Sequence, residues 1–205
     1  LFVMVLGLVS SRLSGEEGNA APGGEQALKA PEPKDLDQAK RMAVKTYAQI
    51  VEATYMSALV SAIELRKKIK ILVTEPTADN HVAAKLSWIQ ARLPYLQTEP
   101  LFSYGSQAAV MDSWPIRPGY IDYVDGNPES GIICDPDEFP DLSPDSLVGF
   151  NGRGGNRNIA TGYYVIEFLL WGEITGSITR GKRAHIDYDI DKTKYADRRG
   201  AFLVS

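Results

Sequence analysis

A helical bundle interrupted by long irregular loops is the fold class this sequence predicts, and three observations predict it. From Val44 to Leu72 apolar residues recur every seven positions (Val44, Val51, Ala58, Leu65, Leu72), with Tyr47, Tyr55, Ala62 and Ile69 offset by three or four. That spacing draws one apolar stripe along a long helix. A second helical stretch, 80–97, sets Val82, Leu86, Ile89 and Leu93 on one face, opposite Lys85 and Arg92. The third, "GYYVIEFLLWG" at 162–172, is apolar except for Glu167. The first two read as the antiparallel hairpin of a bundle.

Taken in order, the elements support that reading. Residues 1–11, "LFVMVLGLVSS", are too short an apolar run to span a bilayer but match the hydrophobic region of an export signal. The basic start of such a signal is missing and the chain opens on Leu1, which reads as truncation. Residues 12–35, rich in Gly, Ala, Pro and Glu, are expected to form a disordered linker, because they cannot bury enough apolar surface to order. A helical domain is expected over 36–205. Pro76 should end its first helix. Residues 98–124 mix aromatics, prolines and acids without a clean period and read as short turns and half-helices. Residues 125–155 carry the prolines, glycines and acids of a long loop, a length that is unusual and often functional. The apolar helix follows, with Thr161 or Asn158 as its expected N-cap. Another loop comes next, then "KYADRRGAFLVS", which starts like a helix and stops on apolar residues as though cut short.

Composition excludes several functions. Lys and Arg total 22 against 26 Asp and Glu, a net charge of -4, so no basic stripe suits a phosphate backbone and nucleic acid is not an expected partner. A single cysteine, Cys134, rules out an internal disulfide framework, and two histidines, His81 and His185, rule out a His-rich metal site.

Glu167 is the residue that asks for an explanation. Burying an ionised carboxylate costs several kcal/mol unless a cation, a metal or hydrogen-bond donors replace its hydration. On a helix Tyr164, Glu167 and Trp171 lie at i, i+3 and i+7 and share a face. Pattern alone leaves a structural pairing of Glu167 with an arginine as the commoner explanation. Arg92 could be that partner, or it could lie on a solvated face.

"NIATGYYVIEFLLWGE" resembles the signature of the imelysin-like family, a helix reading G-x-H-x-x-E followed by F-L-L-W-G. "SWIQARLPYLQTEPLFSYG" resembles that family's W-x-x-A-R-x-x-Y-x-x-T-E stretch, and "DSWPIRPGYIDYV" its W-P-x-x-x-x-x-I-D segment. "GKRAHIDYD" and "YADRRGAFL" resemble the G-x-R-x-x-x-D-Y and RR-x-x-L that follow. The likeness implies an all-α, up-and-down helical protein, here the N-terminal part of a two-bundle architecture with the signature helix near the junction. It also implies the bacterial cell envelope, periplasm or outer membrane. Family members are nominally metallopeptidases linked to iron regulation and uptake, with the signature His and Glu as proposed ligands.

Carried over residue by residue, Gly162 and Glu167 match the signature, while Tyr164 stands where the histidine would be. Neutral imidazole binds a divalent ion near pH 7; a phenol must first lose a proton to a strong Lewis acid. Zinc hydrolysis therefore loses ground to two readings: an oxygen-rich iron site built from Tyr164 and Glu167, joined by an acid such as Glu99 or Asp122, with Gly162, Arg92 and Trp171 as structural members, or a degenerate site in which Tyr164 fills space and hydrogen-bonds Glu167. The enzyme reading, an envelope metallopeptidase, and a non-catalytic interaction module stand as alternatives. Expected partners are an envelope or iron-uptake protein, or a second copy docked on surface that the second bundle would cover.

Other residues have plainer readings. His81 is expected to be exposed at a helix start, and His185 lies in a loop beside Arg183. Asp135, Asp137, Glu138, Asp141 and Asp145 do not fit a twelve-residue calcium loop and read as a solvated surface. Trp88, Trp114 and Trp171 are expected to anchor the core. Nothing near Cys134 marks it as a nucleophile.

Overall fold

The computed structural model describes residues 35–104, 108–174 and 181–205. The expected export signal, nearly all of the linker and the middle of the loop after residue 172 lie outside them. The chain divides into two compact units, Leu1–Arg41 and Met42–Ser205, and the contacts described below belong to the second. Among the described residues there is no strand, only an isolated bridge between Val124 and Asn127, so the fold is all-α. No described helix is long and apolar enough to cross a membrane.

Seven α-helices are described: α1 (Leu36–Thr74), α2 (Ala78–Leu96), α3 (Ala108–Met111), α4 (Pro118–Ile121), α5 (Pro144–Phe150), α6 (Tyr163–Trp171) and α7 (Ala196–Val204). Helix α1 stops two residues before Pro76, as expected. Thr77 opens α2, its hydroxyl accepting from the Asn80 amide at 3.2 Å. Short 3-10 turns occupy Glu99–Tyr104, Ile132–Cys134 and His185–Tyr188. The half-helices expected between 98 and 124 are present. The long loop after 125 contains a helix that was not expected, α5, which begins "SPD": Ser143 caps Ser146, and Pro144 supplies a first helical residue that needs no donor.

Helix α6 forms the centre. It packs on α2, α4 and α7, and it buries Tyr163, Val165, Phe168, Leu169 and Leu170. The last carbonyls of a helix have no partner within it. Here other elements provide them: Tyr188 Oη donates to Leu169 O at 2.7 Å, His81 Nε2 donates to Leu170 O at 2.8 Å, and the Arg183 amide donates to Trp171 O at 3.1 Å. His81 is thus buried, not exposed as expected. Burial, with the positive charge of Lys85, pulls its pKa down to about 4, so the imidazole is neutral near pH 7.

At its other end α6 starts on Gly162, which takes φ 96° and offers no capping side chain. The expected caps are used elsewhere. Thr161 Oγ1 donates to Val110 O, and Asn158 Nδ2 to Arg153 O.

The hairpin corrects the expected apolar faces. Of the α1 stripe, Ala58, Leu65, Ile69 and Leu72 are buried, but Val44 is 70% exposed and Tyr47 and Tyr55 also face outward. On α2 the expected face is the wrong one. Val82, Leu86, Ile89 and Leu93 are exposed, while His81, Ala84, Ser87, Ala91 and Tyr95 point inward. Small residues there let α2 approach α6 closely, and long polar side chains reach into the contact. On α1 Met56, Leu59, Val60 and Ile63 are likewise exposed.

Candidate functional site

Three residues of α2 and three of α6 interlock. Lys85, Trp88 and Arg92 lie at i, i+3 and i+7, the same spacing as Tyr164, Glu167 and Trp171. The two rows meet antiparallel. At one end the Arg92 guanidinium sits 4.9 Å over the Tyr164 ring, and its Nη2 donates to Tyr164 Oη at 3.2 Å. At the other, Trp88 packs edge-on against Trp171 with centroids 5.4 Å apart, and Lys85 Nζ lies 5.4 Å from the Trp171 ring. Trp88 Nε1 donates to Tyr163 O at 2.9 Å, which fixes the register. Such cation–ring contacts contribute about 0.5–2 kcal/mol each.

Arg92 is claimed by another residue. Its Nη1 lies 2.6 Å from Asp112 Oδ1, a half-buried pair supplied by the segment after α3. Burial opposes the Arg92 charge, yet the hydrogen bond and attraction of Asp112 hold its pKa above the usual guanidinium value. Of the two readings of Arg92, the solvated face is not found; its direct bonds go to Asp112 and Tyr164, and it reaches Glu167 only as a nearby charge.

Glu167 lies between the two cation–ring pairs. Among the described residues its carboxylate makes no hydrogen bond and no ion pair. Burial raises its pKa, and the more distant charge of Arg92 offsets only part of that rise. The helix therefore holds a half-buried acid that the fold leaves unneutralised. Trp114 is 69% exposed, with its ring 4.9 Å from that of Tyr164. It does not anchor the core as expected, whereas Trp88 and Trp171 pack against it.

The two acids expected to join the site do not. Glu99 is exposed at the head of a 3-10 turn. Asp122 is fully buried in a separate ion cluster. Arg199 grips it with two bonds, Nε to Oδ2 at 2.6 Å and Nη2 to Oδ1 at 3.1 Å, and Arg183 Nη1 lies 2.8 Å from Oδ2. Cys134 Sγ donates to Asp122 Oδ1 at 3.6 Å, and burial with the nearby Asp122 charge pushes the thiol up to about 11. Arg199 also donates to Asp187 O at 2.7 Å, and Tyr123 Oη to Asp187 Oδ1 at 3.0 Å. Next in sequence, Arg198 donates to the carbonyls of Ile132, Ile133 and Phe139. The paired arginines of "DRRG" thus fasten α7 to the loops on both sides. Sequence reasoning flagged that pair only as part of a motif, and the roles of Asp112 and Arg183 were missed.

The donor set decides which metals the site suits. A hydrolytic zinc centre wants about three protein ligands and an open position. Among the described residues no three His, Cys, Asp or Glu side chains gather in that way. His81 is spent on Leu170 O. What remains is a phenol and a carboxylate one helical turn apart, beside a guanidinium that disfavours a bare cation.

None of the curated proteins matches this chain. The family model described as Imelysin matches residues 51–202, a span that includes α1 from Val51 onward, all of α2, the site on α2 and α6 and the Asp122 cluster. The chain belongs to the imelysin family.

Proposed function

We propose that this imelysin-family protein handles iron in the bacterial cell envelope by binding, without hydrolysing anything, and that it takes the metal as a ferric carboxylate chelate. The observation that carries the reading is Glu167, a half-buried carboxylate with no ion-pair partner among the described residues, placed one turn from the oxygen of Tyr164. Phenolate and carboxylate oxygens are donors that ferric iron favours. In this reading Tyr164 and Glu167 contact the ion, and Arg92, already bonded to the Tyr164 oxygen, favours the negative charge of the chelate. Export fits the apolar run at 1–11. The peptidase reading is weaker, because the histidine of the family signature is Tyr164 here.

Calorimetric titration with Fe(III)-citrate tests the proposal. Wild type is expected to give a saturable isotherm, and Glu167→Ala and Tyr164→Phe are each expected to weaken it by roughly tenfold or more, about 1.4 kcal/mol. Indistinguishable isotherms for the three proteins would remove the idea. The interaction module is favoured by a different observation, the exposed apolar side chains of the hairpin.

A further inference from the structure

The facing rows of α2 and α6 hold two half-buried charges that have no partner of opposite sign among the described residues, and the two do not pair with each other. One is Glu167, on which the acting cation is Arg92. The other is Lys85, whose ammonium rests 5.4 Å from the centre of the Trp171 ring. Burial lowers the Lys85 pKa, and among the described residues no carboxylate offsets that cost. Arg92 differs, because Asp112 and Tyr164 already occupy its guanidinium.

Helical geometry sets the interval between the two unpaired groups. Trp171 lies four residues beyond Glu167, so the ammonium over its ring stands roughly 6 Å along α6 from the level of the carboxylate. The Trp88 and Trp171 rings, edge-on with centroids 5.4 Å apart, line that interval with apolar surface.

We propose, resting on the iron-binding reading above, that Lys85 is a further binding residue of the site and sets its ligand class: a ferric polycarboxylate that keeps a carboxylate off the metal, with the iron edge at Glu167 and Tyr164 and the spare carboxylate on Lys85.

Opposite charges a short distance apart select such a ligand. A bare cation would be repelled by Lys85 and Arg92, and a bare anion would meet Glu167. A chelate with a cationic edge and an anionic arm satisfies both groups at once, and the interval matches the reach of a small tricarboxylate. A chelate whose carboxylates are all bound to the metal offers Lys85 nothing. Lysine also suits the task, since a compact ammonium on a flexible four-carbon stem can leave the Trp171 ring for an arm of variable orientation.

Calorimetric titration with two ferric chelates tests this. Fe(III)-citrate keeps carboxylates off the metal, whereas Fe(III)-nitrilotriacetate has all of its carboxylates on it. Wild type is expected to bind the citrate chelate about tenfold more tightly than the other. Lys85→Gln is expected to abolish that preference by weakening the citrate chelate alone, and Lys85→Arg to keep it. Wild type binding both chelates equally overturns the proposal, and this comparison decides even if Lys85→Gln fails to fold. A folded Lys85→Gln that retains the preference overturns it too, as does one that weakens both chelates alike, the signature of a merely structural role. Each of these results leaves iron binding at Glu167 and Tyr164 standing. Wild type binding neither chelate overturns both.

Discussion

Asp122→Ala is expected to destabilise the protein by about 3–5 kcal/mol, because it leaves Arg199 and Arg183 buried without the carboxylate they share, only the weaker attraction of Asp187 remaining for Arg199. Total stabilities of domains run at about 5–15 kcal/mol, so the variant should sit near the edge of folding. The carboxylate joins parts of the chain far apart in sequence: its own turn after α4, the segment after residue 181 and helix α7. Arg183 is also the residue whose amide caps Trp171 O, so loosening it should loosen the end of α6. Asp122→Asn keeps the shape and one acceptor and should lose less. The check is the urea midpoint at pH 7 with an unchanged slope. A loss under about 1 kcal/mol for the alanine variant would mean that the two arginines find water or another acceptor.

Gly162→Ala is the second large effect, expected to cost about 2–4 kcal/mol. Two independent reasons apply. The residue sits at φ 96°, where a Cβ is strained, and a Cβ built there would lie 2.6 Å from Met111 O and 2.7 Å from Met111 C. The neighbour is backbone and cannot swing aside. Relief would require the head of α6 to move away from the end of α3, taking Tyr164 with it and drawing apart the Arg92, Asp112 and Trp114 contacts. Thermal unfolding measures the cost, and the near-UV dichroism of Trp114 and Tyr164 reports the displacement. An alanine variant within 0.5 kcal/mol of wild type would contradict the packing described for this turn.

The helices were legible because their periods are long and clean, and Pro76 marked the end of the first; the Thr77 cap that opens the second, three residues before the expected start, was not read. The inward face of α2 was not. Hydropathy selects Val82, Leu86, Ile89 and Leu93, but the core selects Ala84, Ser87 and Ala91, since a close helix approach needs small side chains and a pattern of hydrophobicity cannot rank closeness. The "SPD" that opens α5 was a readable cap, hidden within an acidic, proline-rich stretch that resembled a loop throughout. At the site, the shared face of Tyr164, Glu167 and Trp171 followed from spacing. The pairing of Arg92 with Asp112, twenty positions on, and the capture of Asp122 by Arg199 are tertiary choices that no local spacing encodes.

The site stands or falls on Glu167 being an acid the fold leaves unneutralised beside Tyr164 and Arg92. Carbon-13 NMR titration of the Glu167 side-chain carboxyl reads this directly. Its pKa is expected above the ordinary glutamate value of about 4.3 and to climb further in Arg92→Met, which removes the one charge that lowers it. A carboxyl that titrates at or below the ordinary value, unmoved by the loss of Arg92, would contradict the account.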